Sequence, residues 1–226
     1  MNIKNETRLG VLLGLCLAVA GCGGGGFGES VAVPQETRTT VSAGMSAGKV
    51  VSFPDARAFN IAQAARTSTG NAVAEAEASD QGSASCRIQS DASDSASGEF
   101  QLGHVIYNDT AAPLDVSVLF EFDYAFEILD RGPESRLPDT VGLKVFVQDS
   151  DQTILHRRIL LEQGDGLTAW KGAGRSSPWF NFTLQPHLAY NLVLAGKVAV
   201  EAEEEGKPVE ANIEVSNLRV EVSAKK

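Results

Sequence analysis

Between Leu114 and Ile128 every second residue is apolar: Leu114, Val116, Val118, Phe120, Phe122, Tyr124, Phe126 and Ile128. The residues between them are Asp115, Ser117, Leu119, Glu121, Asp123, Ala125 and Glu127. A period of two sorts side chains onto opposite faces of a strand, whereas a helix would scatter these aromatics around its circumference. The stretch therefore predicts a β-strand with one face buried and the other in water. It exceeds the usual strand length, which predicts one bent strand, or two in line, crossing a sandwich.

The same period recurs on both sides of it. Phe100, Leu102, His104 and Ile106 fall on one side of GEFQLGHVIYN, and Asn108-Asp109-Thr110 with Pro113 marks the turn that follows. Val141, Leu143, Val145 and Val147 alternate with Gly142, Lys144, Phe146 and Gln148; Asp149–Gln152 then turns the chain and TILHRRILLE runs back, the outline of a hairpin. Gln163 to Pro178 reads as a long loop with four glycines. Phe180, Phe182 and Leu184 follow, then a turn at Gln185-Pro186-His187 and a strand carrying Tyr190, Leu192 and Leu194. The last run, through Ala211, Ile213 and Val215, slips its apolar phase by one at Ser216-Asn217 before Leu218, Val220 and Val222 take over. A slip of that kind predicts a β-bulge. Alternation with frequent turn signals and no long amphipathic helix predicts an all-β, antiparallel two-sheet sandwich, jelly-roll-like.

The chain before Gly98 carries weaker signals. ARAFNIAQAAR fits a short helix or an edge strand, NAVAEAEAS a flat and weakly buried strand, and ASCRIQS another strand. The β reading is favoured for all three. From Gly23 to about Asp55 the composition is small and polar, opening on four consecutive glycines, and predicts a flexible tether. A coil of that length spans roughly 30 Å. The expected organisation is residues 1–21 as a removed segment, 22–55 as a modified cysteine and its tether, and 56–226 as the sandwich, with its core in 98–223.

The first segment sets the expected address. Lys4 and Arg8 precede the apolar run Leu9–Ala20, which is too short to cross a bilayer comfortably and fits the h-region of a signal peptide. It ends in Val19-Ala20-Gly21-Cys22, and here the chain resembles a bacterial lipoprotein precursor with its lipobox. The resemblance implies a diacylglycerol on the Cys22 sulfur, cleavage before that residue and acylation of the new amine. Two or three acyl chains give stable membrane anchoring. Gly23 follows instead of the aspartate associated with inner-membrane retention, which implies the outer membrane of the cell envelope.

The closing run from Phe180 to Val222 loosely resembles the β-sandwich domains of bacterial exported proteins that carry C-terminal sorting tails. The shared features are an aromatic strand, a turn with proline, a Tyr-x-Leu strand, a small-residue strand and a final Ser-Asn-Leu-x-Val strand. Only the fold carries over, with anchoring expected from Cys22, because such domains have no single activity.

Charge and chemistry narrow the function classes. The net charge is −10, and loss of Lys4, Glu6 and Arg8, a net +1, leaves about −11. With no basic patch, nucleic acid and anionic lipid are not expected partners. Cys86 would stand without an intrachain partner once Cys16 is removed and Cys22 lipidated, and reads as a buried bystander. His104, His156 and His187 lack ligand spacing, and GxSxG, HExxH and CxxC are absent. GMSAGKV at Gly44–Val50 misses a phosphate loop by one residue and by its Val50. Asp149 and Asp151, with Asp165, are weak calcium candidates, since the turn lacks the spacing of a calcium loop. No cofactor is implied.

Trp170 and Trp179 bracket Lys171 and Arg175 at the end of the glycine-rich loop. Exposed indoles with polar neighbours stack on sugar rings, and sandwich loops commonly carry binding residues. The competing expectation puts Trp179 in the core with Phe180 and Phe182 and folds Trp170 over the sandwich edge. The reading favoured by the sequence is a lipid-anchored, non-enzymatic sandwich with a structural or interaction role toward an envelope glycan or protein. Its alternative is a glycan-binding module using the Trp170–Trp179 loop.

Overall fold

A computed structural model describes residues 42–90, 93–129, 137–162, 171–202 and 207–226. Every regular element among them is a strand. In chain order they are β1 (Ala43–Met45), β2 (Val50–Phe53), β3 (Ile61–Ser68), β4 (Val73–Ser79), β5 (Ser83–Ser90), β6 (Ala96–Asn108) and β7 (Leu114–Ile128). There follow β8 (Thr140–Gln148), β9 (Ile154–Glu162), β10 (Lys171–Ser176), β11 (Trp179–Leu184), β12 (Ala189–Val200) and β13 (Val209–Ala224).

The strands form two sheets. The first runs β6-β12-β8-β9, with β1 and β3 in line along the free side of β6. The second runs β7-β13-β5-β4, with β10 and β11 in line along the free side of β7, and β2 beside the far half of β13. Apart from β1, which lies parallel to β6, the pairings are antiparallel. Successive strands from β5 to β8 alternate between the sheets, as do β11 to β13, which is the jelly-roll-like weave.

Alternation explains why the sheets pack. On β7 the apolar alternate set, led by Val116, Val118, Phe120 and Phe122, is buried, while Asp115, Ser117, Glu121 and Glu127 stay on the outer side. Phe100, Leu102, His104 and Ile106 of β6 and Leu192, Leu194 and Val198 of β12 meet them from the first sheet. Burying one such Phe or Leu contributes roughly 1.5–3 kcal/mol, so this interface dominates the fold. β7 is one unbroken strand of 15 residues, and its edge partners divide it: β11 pairs with 114–119, β10 with 122–127, and Phe120 donates its N–H to the Pro178 carbonyl between them.

The predicted β8–β9 hairpin is present, and β8 is buried on both faces. A second apolar cluster, with Phe146, Val193, Val105 and Ile61, lies on the outer side of the first sheet. The expected bulge is also present: the register of β13 on β7 shifts between Ser216 and Arg219, and Asn217 takes φ 54°.

Two expectations change. Part of the stretch read as tether belongs to the sandwich, because β1 and β2 lie inside 22–55 and bury Met45 and Phe53 completely. Single apolar anchors among small polar residues carry no visible period, and pairing with β6 and β13 decides their conformation. The favoured β reading of ARAFNIAQAAR, by contrast, is met: its second half opens β3, an edge strand on β6. Finally, the Gln163–Pro178 stretch is not all loop: residues 171–176 form β10, whose Gly172 sits so near the Phe126 ring that a Cβ would collide with it. Glycine reads as a turn signal in the sequence, but here it permits close approach of an edge strand to an aromatic ring.

Candidate functional site

The outer face of the second sheet is a polar plain crossed by in-register rows. One row runs Lys171, Glu127, Asn212, Arg87, Glu75; the next runs Ala173, Ala125, Glu214, Ser85, Glu77. Nearer the other end, Arg175 aligns with Asp123 and Ser216, and Trp179 aligns with Leu119, Glu221 and Ser52. Asn181 lies two residues beyond Trp179 on the same side, beside Ser117.

Trp179 stands out on that plain. The residue is 62% exposed, the largest exposure among the bulky apolar residues described. The expectation that it enters the core with Phe180 and Phe182 is incorrect, and parity gives the reason. Consecutive residues of a strand face opposite sides, so Trp179 and Phe180 cannot both point inward. Register with β7 selects Phe180 and Phe182, which pair with the inward Val118 and Val116, and leaves Trp179 opposite the outward Leu119. Phe180 meets Phe120 edge-on at 6.1 Å between ring centres, and His156 of β9 lies 5.7 Å from both Phe180 and Phe182, closing that side of the sandwich.

Arg175 reaches along β7 toward the indole. Its Nη2 lies 3.6 Å from Glu121 Oε1, although its register partner is Asp123. Glu121 and Leu119 are two residues apart on one face, so the ion pair sits about 7 Å along the strand from the partner of Trp179. Lys171 is elsewhere: its Nζ lies 3.1 Å from Glu127 Oε1, about 27 Å along β7 from Leu119 at 3.4 Å per residue. The structure thus brings Arg175 and Trp179 into one neighbourhood and leaves Lys171 at the far end. Trp170 and Cys22 lie outside the described residues, as does Asp165.

Two adjoining hollows, of about 340 and 420 Å³, indent the same face and share Glu77, Ser85 and Glu214. Short serines on β5 between longer side chains on β4 and β13 leave this trough. Arg87 closes one end through its 2.7 Å bond to Glu210. Glu121, Asn181, Arg219 and the trough were missing from the candidate residues named by sequence. Their signal was present as the polar half of each alternating strand, but alternation alone does not say which strands become neighbours.

The remaining candidates are structural. Asp149 Oδ1 accepts the N–H groups of Asp151 and Thr153, each at 2.9 Å, so that carboxylate closes the β8–β9 turn. Among the described residues no group of three His, Cys, Asp or Glu could hold a metal ion. Cys86 is buried, and that burial pushes its thiol up to about 12, which keeps it protonated and unreactive. His187 occupies a turn with φ 58°, and its N–H donates to the Asn108 carbonyl. The Gly44–Val50 stretch turns β1 into β2, with the Lys49 ammonium donating to the Gly44 carbonyl.

His104 faces the core, stacked on Phe53 at 3.8 Å between ring centres, and neither ring nitrogen makes a well-formed hydrogen bond, the Ala58 backbone giving only a weak one that does not offset burial. Desolvation, reinforced by the charge of Arg57, lowers its pKa from 6.5 to about 4. The ring is neutral at physiological pH.

No protein-family model and no curated protein sequence matches the chain. Solved structures do match it. An arabinose-bound α-L-arabinofuranosidase aligns at 13% identity over 71% of this chain and 23% of its own, with a TM-score of 0.21. A carbohydrate-binding module of the β-sandwich superfamily aligns at 11% identity over 82% of this chain and 63% of its own, with a TM-score of 0.23. The family 11 carbohydrate-binding module of a cellulosomal cellulase from Clostridium thermocellum aligns at 7% identity over 77% of this chain and 95% of its own, with a TM-score of 0.21. The chain spans less than two thirds of the first two. At these scores the backbones do not superpose as whole domains, and what those proteins bind stays a property of those proteins.

Proposed function

We propose that this chain is an envelope lipoprotein whose sandwich is a non-catalytic glycan-binding module, with the outer face of the second sheet as its binding surface. Exposure of Trp179 carries the reading. A bulky indole held outward on a strand costs hydrophobic burial, and stacking against the C–H face of a sugar ring recovers it. The Arg175–Glu121 pair beside it offers a forked donor and a charged acceptor to the ring hydroxyls, and Asn181 adds an amide on the same side. The binding surface is therefore a strand face around Trp179, in place of the loop bracketed by Trp170. An outward Trp179 favours this reading over a purely structural role, for which Trp179 was expected in the core.

The lipid anchor rests on Val19-Ala20-Gly21-Cys22 alone, and outer-membrane placement on Gly23. Anchoring would present the sandwich to the polymers around the membrane.

The test is a glycan array probed with full-length protein and with Trp179→Ala. Binding to a defined glycan set that falls by about tenfold or more in the variant is expected, the loss typical of a central tryptophan anchor. Equal binding by both proteins would reject this face.

A further inference from the structure

Resting on the glycan-binding reading, we infer that the ligand is a neutral, extended polysaccharide and not one bearing uronate, sulfate or phosphate groups. The charges on the face decide this. Each cation on the described strands of the second sheet has a carboxylate beside it: Lys171 has Glu127 at 3.1 Å, Arg87 has Glu210 at 2.7 Å, Arg175 has Glu121 at 3.6 Å, and Arg219 has Asp55 at 3.5 Å. Recognition of an anionic sugar needs a guanidinium or ammonium it can engage bidentately, and here it would compete with the carboxylate already beside each cation, whereas a hydroxyl can take a remaining N–H without breaking the pair. The carboxylates outnumber the cations. No described cation pairs with Glu77 or Glu214, which flank the trough, so an anionic chain would run over like charges.

The same groups suit hydroxyls. A carboxylate accepts only, a sugar hydroxyl donates as well as accepts, and the trough offers two carboxylates on either side of Ser85 in one row across β4, β5 and β13, about 5 Å from each strand to the next. Trp179 supplies the apolar platform about 20 Å along the strands from Glu214, since Leu119 and Ala125 on β7 are their respective partners. Contact with both places at once takes several linked sugars, which sets the ligand as a chain and not a monosaccharide.

The experiment is calorimetric titration of full-length protein in detergent with neutral hexasaccharides, β-1,4-glucan, β-1,3-glucan and β-1,4-mannan, and with hexamers of galacturonate and mannuronate, at 50 and 500 mM NaCl. Trp179→Ala serves as the control variant. The expected result is binding of at least one neutral hexamer, lost about tenfold in Trp179→Ala and changed less than about twofold by salt, with the uronate hexamers weaker by about tenfold or more. If a uronate hexamer binds best, weakens with salt and needs Trp179, the glycan-binding reading stands and neutral selectivity is overturned. If no hexamer of either kind gives heat that depends on Trp179, both fall.

Discussion

Trp179 and His104 are two side chains whose environments depart from their chemistry in opposite senses. Trp179 is apolar and outside; His104 is polar and inside. For Trp179 the sequence already contained the deciding fact, since it precedes Phe180 in an alternating strand and only one of two neighbours can face the core. What the sequence could not supply was the register on β7 that selects Phe180. For His104 the alternation with Phe100, Leu102 and Ile106 was legible and correctly placed it on the buried side. Its consequence is a pH dependence. The unfolded chain takes up a proton near 6.5 and the folded one only near 4, so stability is full above 6.5 and falls as pH drops through that window. The loss attributable to this ring is on the order of 3 kcal/mol by pH 4. Urea melts of wild type and His104→Leu at pH 7 and pH 4 check it: the variant should lose less stability on acidification by about that amount. Equal losses in both proteins would mean that the imidazole is solvated in the folded state.

Strands with a long apolar period were legible as elements: β7, the β8–β9 hairpin and the bulge in β13 all follow from phase alone. Those without one were not. β1 and β2 hold a few anchors in a small-residue background, and β10 has glycines where an ordinary strand has side chains. Each is fixed by the strand beside it. The bulge carries its own prediction. Asn217 holds φ 54°, and its side-chain amide donates to Asp123 Oδ2 at 2.8 Å, so either the backbone or the hydrogen bond could explain the choice of residue. The left-handed conformation costs an ordinary residue about 1–2 kcal/mol, and an exposed hydrogen bond contributes less. Asn217→Val should therefore destabilise by about 1–2 kcal/mol in chemical denaturation, and Asn217→Gly by no more than about 0.5 kcal/mol. Similar losses in the two variants would assign the role to the amide.

At the scale of the molecule, the all-β sandwich was readable from alternation, and its outer faces were not, because surface chemistry depends on which strands become neighbours. The polar residues of β7, β13, β5 and β4 are unremarkable one strand at a time; registered together they form a face with paired cations, a trough and one exposed indole. The anchor belongs to this scale too. Cys22→Ala should leave the sandwich folded, remove the acyl mass and release the protein from membranes. Retention of both acyl mass and membrane partition in that variant would refute lipidation at Cys22. The central claim, that Trp179 is an outward binding platform, is tested most directly by its fluorescence in a Trp170→Phe background, where it is the sole indole. The account predicts red-shifted emission open to acrylamide quenching, shifting blue and becoming protected when a bound glycan is added. Blue, poorly quenched emission that no glycan alters would contradict it.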